Sequence, residues 1–266
     1  MRPIRLLGQD DAAPAAAFDL GAASPFLIVC DHAGVAVPAR LGRLGLAGAA
    51  FDSHIAVDLG VLPLARALAA RLAAAIIAQT YSRLVIDCNR APGHPGSILS
   101  RSDGWAIPGN ERLPEADVRA RVDEIHRPYH AAIAAELDRR DGRPTALICL
   151  HSFTPVLAGA ARPWHVGVLH LGDCAFSTAL LTALGKEPGL VVGDNQPYAM
   201  DETDFTAPHH AAGRAITVTE LEVRQDLIAD EAGQARIADL LARAFTSLLP
   251  LREKVARESG SDEGSR

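Results

Sequence analysis

The sequence predicts an α/β fold in which a layered sheet is flanked by helices. Short apolar runs, typical of buried strands, alternate along the chain with segments of helical three- and four-residue spacing. Several of the apolar runs end in polar residues, as strands do at the ligand-binding edge of open α/β sheets. The 266 residues suffice for one sizeable core. We predict a single domain over residues 1–250 and a disordered, charged tail over residues 251–266.

Composition narrows the class of protein. The chain is 48% hydrophobic and 22% charged, which is ordinary for a globular protein. Its net charge of −6 argues against a nucleic-acid partner, since such proteins are usually basic. No apolar run reaches the roughly 18 residues that a membrane span needs, and no signal peptide is evident. The four cysteines form no C-x-x-C pair, so we predict a reduced, cytoplasmic protein that does not act at a membrane.

The first half of the chain predicts strands that end in polar residues. Residues 1–24 are expected to be a loose lead-in. The run FLIVC predicts a strand at about 25–30, followed by Asp31 and His32. Further predicted elements are a helix reaching Leu72 from the polar segment that begins at Phe51, a strand over 74–77, and a strand over 84–86 that ends in Asp87, Asn89 and Arg90.

The second half begins with a long segment rich in glycine and proline, residues 91–114, which we expect to be a loop near the site. A helix is predicted over 115–140, kinked or split at Pro128. Strands are predicted over 146–150, 164–171, 190–192 and 216–223, and helices over 175–184 and 231–249.

Two of the predicted strands run into histidines, His32 and His151. Catalytic zinc takes three protein ligands, commonly from His, Asp and Glu, and keeps one position open. Asp58 at the head of the first long helix is a candidate third ligand, and His54, four residues earlier, is the alternative. The spacing is not that of a local metal motif. Strand-end histidines that hydrogen-bond to the backbone remain an equally good interpretation at this point.

Glu222 lies near the end of the last predicted strand, with Glu220 and Arg224 on the same face by the period of two. A carboxylate beside an activated water can act as general base and then as general acid. The alternative is a surface ion pair between Glu222 and Arg224. Asn89 and Arg90 would suit a substrate carboxylate, although a solvated turn explains them as well.

Other nucleophile classes fit the sequence poorly. The chain has no G-x-S-x-G elbow and no P-loop. Cys30 and Cys149 each precede a histidine by two residues, which leaves a cysteine-based amidase as an alternative, although both thiols are expected to point into the core.

Eight stretches, taken in order, carry a resemblance to a known family. They run from about residue 30 to residue 228 and read CDHAGVAVP, HIAVDLG, YSRLVIDCNR, SDGWAIPGN, HSFTP, RPWHVGVL, GDNQPY and LEVRQDLI. The chain resembles the N-formylglutamate amidohydrolase family, a group of zinc-dependent amide hydrolases related to the zinc carboxypeptidases and aspartoacylases. The resemblance implies a carboxypeptidase-like fold, in which a three-layer mixed sheet is flanked by helices.

The resemblance also implies roles for single residues. Zn²⁺ would be held by His32, Asp58 and His151, with Glu222 as the catalytic glutamate. One departure is Val35, which stands where carboxypeptidase-like enzymes have the glutamate of H-x-x-E, so Asp58 must replace that ligand. The resemblance implies that Asn89 and Arg90 hold the substrate's carboxylate. We add Arg83 and Arg224 as candidate substrate-binding residues and expect Arg83 or Arg90 to stabilise the oxyanion.

The implied reaction is the hydrolysis of N-formylglutamate, a small-molecule N-acyl amino acid, to formate and glutamate. Two alternatives remain open: hydrolysis of another N-acyl amino acid or small amide, and a homologue that binds a metal or ligand without catalysis. The sequence does not predict the oligomeric state.

Overall fold

A seven-stranded mixed sheet forms the centre of the computed structural model, which describes residues 5–172 and 174–248. Its strands are β1 Ala15–Phe18, β2 Phe26–Cys30, β3 Ala75–Gln79, β4 Ala146–Phe153, β5 Val166–Leu169, β6 Val192–Asp194 and β7 Thr217–Arg224. Their order in the sheet is β1-β3-β2-β4-β7-β5-β6. Every residue of β2, β3, β4 and β5 is buried, which explains their continuous apolar sequences.

Strand direction determines which residues meet at the sheet edge. The four strands β3, β2, β4 and β7 run parallel to one another, whereas β1 and β5 are antiparallel to their neighbours β3 and β7. The carboxyl ends of β2, β4 and β7 therefore point in the same direction. In this register Glu222 of β7 is the partner of His151 of β4. The polar residues that end these strands are thus brought to one edge.

Helices cover both faces of the sheet. The α-helices of the described residues are α1 Gly48–Phe51, α2 Val61–Leu72, α3 Glu115–Arg121, α4 Arg127–Arg139, α5 Ala175–Leu184, α6 Thr206–Ala211 and α7 Glu231–Ser247, of which α1 and α3 pack in a separate cluster beside the sheet. Ile28 and Cys30 of β2 share a core with α2, α5 and α7, while Leu27 and Val29 face α4 and α6. This alternation gives each face its own apolar core. The predicted three-layer α/β fold is confirmed.

The long predicted helix is divided near Pro128, as expected. Between α3 and α4 the chain makes a wider π-helical turn, Val122–His126. Pro128 lies in the first turn of α4, directly after this wider turn. The wider turn gives the proline ring room beside the preceding backbone.

The strand predicted over residues 84–86 is wrong. This segment is a turn in which the Val85 amide donates to the Ser82 carbonyl. Side chains replace the neighbour that a strand would need: Asn110 donates to the Leu84 carbonyl, and the Arg121 guanidinium donates to the Val85 carbonyl. The apolar run can be buried outside a sheet because its backbone carbonyl groups accept these hydrogen bonds.

Other differences are smaller. The lead-in contains the edge strand β1, and the short helix α6 was not expected. The first long helix begins at Val61, because residues 52–60 form turns rather than a helix. Short 3₁₀ turns occur at Ala39–Leu41, Pro108–Asn110 and Gln225–Ile228.

The predicted tail over residues 251–266 lies outside the described residues, and the single domain over residues 1–250 stays a prediction. Within residues 5–172 and 174–248, none of the helices combines the length and apolar character required to cross a bilayer.

Candidate metal centre

Three predicted ligands meet at the carboxyl edge of the sheet. His151 Nδ1 lies 3.2 Å from His32 Nδ1 and 3.0 Å from Asp58 Oδ2. The third side of this triangle, from His32 Nδ1 to Asp58 Oδ2, measures 3.5 Å. All three side chains are at most 4% exposed. They are the one group of three or more His, Cys, Asp or Glu residues in the described chain whose donor atoms could hold a metal ion.

The other nitrogen of each imidazole faces a buried carboxylate. His32 Nε2 lies 2.7 Å from Asp87 Oδ1, and His151 Nε2 lies 3.3 Å from Asp31 Oδ2. A carboxylate behind a ligating histidine fixes the tautomer and the direction of the ring. Here both rings are oriented so that Nδ1 points to the common centre. We call His32, Asp58 and His151 the triad.

Backbone contacts explain why distant residues meet here. The Asp58 amide donates to the His32 carbonyl, and the Ser152 amide donates to Asp58 Oδ2. These bonds join the turn before α2 to the ends of β2 and β4. Thr206 of α6 donates to Asp31, so the helix layer also supports the carboxylate behind His151.

The surroundings favour positive charge at the centre of the triad. Burial alone would raise the pKa of Asp58, but the imidazoles of His32 and His151 outweigh it and hold that pKa well below its usual range. Burial would lower the pKa of His151, yet hydrogen bonds with Asp31 and Asp58 raise it. The carboxylates therefore stabilise a cation at this point, whether the charge is a proton or a metal ion.

The triad fits zinc in donor type and spacing. Two imidazole nitrogens and one carboxylate oxygen are typical donors of a catalytic zinc site. Ligand atoms about 2.0–2.1 Å from a tetrahedral zinc lie about 3.3 Å apart, and the observed separations are 3.0, 3.2 and 3.5 Å. The structure therefore meets the requirement for a three-ligand metal centre.

Glu222 lies beside the triad, next to His151 across the β4–β7 ladder. It is 7% exposed, and its Oε2 atom has no hydrogen-bond partner among the described residues. Burial raises the pKa of Glu222 to about 8, against the nearby His151 charge, which lowers it. The predicted alternative, an ion pair with Arg224, is wrong because Arg224 donates through Nε and Nη2 to the two carboxylate oxygens of Asp226. Glu222 is thus a carboxyl group able to exchange a proton near neutral pH.

A cleft of about 380 Å³ opens beside this centre. Arg83 and Asp87 form part of its lining and connect it to the triad, since Arg83 donates to both Asp58 and Asp87. The loop predicted over residues 91–114 supplies several lining residues: Gly96, Leu99, Ser102 and Asp103. The lining also includes Tyr198 and Leu157, which belongs to the hairpin of Val156–Leu157 and Ala160–Ala161.

His54, the alternative third ligand, lies away from the triad. Its Nε2 atom is 3.1 Å from Asp103 Oδ2, and both residues line the cleft. A helix would place these two residues, four positions apart, on one side, but residues 52–60 form turns and bends that separate them. The geometry therefore favours Asp58 over His54.

The Asn89–Arg90 pair is used within the protein and is absent from the residues that line the cleft. Asn89 Oδ1 accepts from the Phe205 and Thr206 amides at the start of α6. Arg90 donates to Asp204 Oδ1 at 2.9 Å and to the Thr203 carbonyl. This geometry gives the pair a structural task and does not support the expected contact with substrate. Arg224 is likewise absent from the cleft lining.

Four residues of the site were not singled out from the sequence: Asp31, Asp87, Arg162 and Tyr198. The first two did carry a signal, because each follows an apolar run that leads into the site. Arg162 and Tyr198 lie in the stretches RPWHVGVL and GDNQPY, whose spacing gives no hint that they touch each other. Arg162 donates to the Tyr198 hydroxyl at 2.8 Å.

The cysteine-based alternative is not supported. Cys30 and Cys149 are fully buried within strands, and neither belongs to the cleft lining. Burial raises the pKa of both thiols well above the usual range, so they are protonated and unreactive.

Comparisons with known proteins agree with the geometry. A gene product of Agrobacterium tumefaciens is 33% identical in sequence and superposes with a TM-score of 0.87, over 92% of this chain and 99% of its own. The N-formylglutamate amidohydrolase of Ralstonia eutropha is 21% identical, with a TM-score of 0.63 over 93% of this chain and 100% of its own. No curated protein sequence matches the chain. The family model for N-formylglutamate amidohydrolase matches residues 24–229. The protein is thus a member of the N-formylglutamate amidohydrolase family.

Proposed function

We propose that the protein is a zinc-dependent hydrolase of the amide bond of N-acyl amino acids, with N-formylglutamate as the reference substrate that the family name gives. The single observation that carries the proposal is the triad with Glu222 beside it, next to the cleft. A zinc ion held by His32, Asp58 and His151 would act as a Lewis acid and lower the pKa of a bound water.

Glu222 provides the proton transfers. Its carboxylate accepts a proton from the attacking water and later donates it to the nitrogen of the leaving amine. Because burial raises the pKa of this group to about 8, the carboxyl can both take and release a proton near neutrality. For N-formylglutamate, cleavage of the C–N bond and addition of water give formate and glutamate.

Arg83 places a positive charge between the cleft and the triad. It is held by Asp87 at 2.8 Å and by Asp58 at 3.4 Å. A guanidinium fixed in this position stabilises negative charge that develops on the acyl oxygen, since it needs no reorganisation during the reaction.

The proposal is tested by removing the metal and by replacing Glu222. Deformylation of N-formyl-L-glutamate should fall in proportion to bound metal and return when zinc is added. Glu222→Gln should keep the metal content, measured by elemental analysis, and lose about 10²–10⁴-fold in kcat. Glu187→Gln, which changes a carboxylate in the bend after α5 that pairs with Arg243, is the control and should keep wild-type activity.

Full activity in metal-free protein would contradict the mechanism. A chain that binds N-formyl-L-glutamate without releasing formate, with or without zinc, would instead support the non-catalytic homologue that the sequence left open.

A further inference from the structure

Arg162 is a buried arginine that, unlike Arg90 and Arg224, contacts the cleft wall through Tyr198, although it is not itself one of the lining residues. It follows the short strand Ala160–Ala161 and is only 8% exposed. Its Nη2 atom donates to the Tyr198 hydroxyl at 2.8 Å, and the guanidinium lies over the ring of Tyr198 at 4.7 Å and over that of Phe153 at 5.6 Å. Two aromatic rings therefore hold the planar cation in one orientation.

Arg162 differs from the other arginines near the site because it has no acidic partner. Arg83, Arg90 and Arg224 bind Asp87, Asp204 and Asp226. Within residues 5–172 and 174–248, by contrast, no Asp or Glu oxygen lies within 4.0 Å of the Arg162 guanidinium. A buried charge without a counterion is unfavourable. An anion that enters the cleft would supply the missing charge.

Arg121, also buried without an ion pair, shows what a structural arginine looks like in this fold. It donates to the Val85 carbonyl at 2.9 Å and to Asn110 Oδ1 at 2.7 Å, so its hydrogen bonds end within the protein. Arg162 has one strong hydrogen bond, to Tyr198, and a long contact of 3.5 Å with the Thr154 carbonyl. Its hydrogen-bonding capacity is therefore largely unused.

The position of Arg162 connects the cleft to the reacting groups. Its partner Tyr198 lines the cleft, as does Leu157 of the preceding hairpin. Phe153, which lies under the guanidinium, ends the strand β4 that carries His151. A ligand group bound by Arg162 would thus lie between the cleft wall and the end of β4.

We propose that Arg162 binds a carboxylate of the substrate, that Tyr198 orients it, and that Arg90 does not have this role. The inference rests on the proposed function, because it names the residue that holds the acidic part of an N-acyl amino acid. A guanidinium matches a carboxylate through two parallel hydrogen bonds. N-formylglutamate carries two carboxylates, and the two are distinguished by experiment.

The test compares three substrates in the zinc-loaded enzyme. They are N-formyl-L-glutamate, N-formyl-L-glutamine, which lacks the side-chain carboxylate, and the α-amide of N-formyl-L-glutamate, which lacks the other. Arg162→Gln should lower kcat/KM about 10- to 100-fold for every substrate that keeps the bound carboxylate. For the one amide that lacks it, kcat/KM should stay within about threefold of wild type, which identifies the carboxylate.

Three variants complete the design. Arg162→Lys keeps the charge and should recover part of the selectivity. Arg214→Gln, a half-buried arginine paired with Asp138 on a different part of the surface, is the matched control. Arg90→Gln tests the competing assignment. Equal losses for all three substrates in Arg162→Gln, or a carboxylate-dependent loss in Arg90→Gln, would overturn the inference.

Calorimetric binding of N-formyl-L-glutamate separates this inference from the proposed function. In the Glu222→Gln background, adding Arg162→Gln should weaken binding about 10- to 100-fold. If the wild-type chain binds the ligand with this dependence but does not hydrolyse it, the proposed function fails and Arg162 keeps its role. Affinity that is unchanged by Arg162→Gln refutes the role of Arg162, whatever the catalytic result.

Discussion

Each histidine of the triad lies between two groups that fix its orientation. His32 has Asp87 behind its ring, and His151 has Asp31. Because these carboxylates contact Nε2, both rings present Nδ1 to Asp58. The triad can therefore form without a local sequence motif, because a carboxylate behind each histidine ring sets the direction of that ring.

The identity of the third ligand can be tested with two variants. Asp58→Asn removes the charged donor of the triad and should weaken zinc affinity by more than the roughly 10- to 100-fold typical of losing a residue that only orients a ligand. His54→Gln should leave zinc affinity unchanged, since His54 pairs with Asp103 on the cleft wall. Competition with a chromophoric chelator measures both constants. A larger loss in His54→Gln than in Asp58→Asn would reverse the assignment.

The sequence predicted the site residues that lie at the ends of strands. It did not predict the residues that are placed by contact with another side chain. His32, His151 and Glu222 lie at or near the ends of apolar runs, so their meeting follows from strand direction. Asp58 was a candidate from the sequence, but the choice between it and His54 required the family resemblance, because the turns before α2 follow no periodicity. Arg162 and Tyr198 meet across two loops 36 residues apart in sequence, and no local pattern records such a contact.

At the scale of elements, β5 passes directly beneath the turn that carries Tyr198. Gly167 of β5 is the register partner of Glu222. A Cβ atom at Gly167 would lie 2.0 Å from the Gln196 carbonyl oxygen and 3.4 Å from the Glu222 Cβ. The missing side chain thus lets the turn lie against the strand next to the site.

Gly167→Ala should therefore affect stability and site geometry together. The turn at Gln196 must move, and overpacking of this kind costs about 1–3 kcal/mol of unfolding free energy. We expect a lower urea midpoint and a raised KM, because Tyr198 follows the same turn. Gly48→Ala in α1, where the nearest atom is 3.5 Å from the new Cβ, should be neutral or slightly stabilising. Equal stability of the two variants would contradict the close approach.

Most elements could be predicted because their apolar spacing repeats. The exceptions have specific causes. Residues 84–86 have the apolar character of a strand, but Asn110 and Arg121 take the place of a sheet neighbour. The strand β1 has the sequence AAAF, which carries little strand propensity and forms only because β3 offers a free edge. Helix α6 is short and is fixed by Asn89 at its start.

At the scale of the whole molecule, a histidine cluster joins α4 to α6 and to the turn that carries Cys88. His130 of α4 is hydrogen-bonded to His210 of α6 and to the Cys88 carbonyl. His126, His209 and Phe205 pack around this pair. Burial, reinforced by the neighbouring imidazoles, lowers the pKa of His130 to about 4 and that of His210 to about 3.

Acid should therefore destabilise the fold before the carboxylates titrate fully. In the unfolded chain these histidines take up protons below about pH 6.5, whereas in the folded protein they stay neutral down to about pH 4. The unfolded state binds more protons in this window, so the free energy of unfolding falls as the pH is lowered. His130 alone corresponds to a loss of about 3 kcal/mol. Urea unfolding at a series of pH values between 7 and 4 measures this fall in the free energy of unfolding.

His210→Phe should flatten this pH dependence, since it removes one of the two titrating groups while filling a similar volume. His165→Gln, a half-buried histidine outside the cluster, serves as the control and should retain the wild-type slope. Identical slopes in all three proteins would show that the cluster does not control acid stability.

The position of β7 in the sheet also affects how the chain can fold during synthesis. β7 is the last of the seven strands to leave the ribosome, yet it lies in the interior of the sheet between β4 and β5. Until residues 217–224 emerge, the edges of β4 and β5 that later pair with β7 have no partner strand, and such exposed edges are prone to aggregate. The strand that carries Glu222 therefore completes the sheet, and the carboxyl group that we propose as general base reaches the site only with that last insertion.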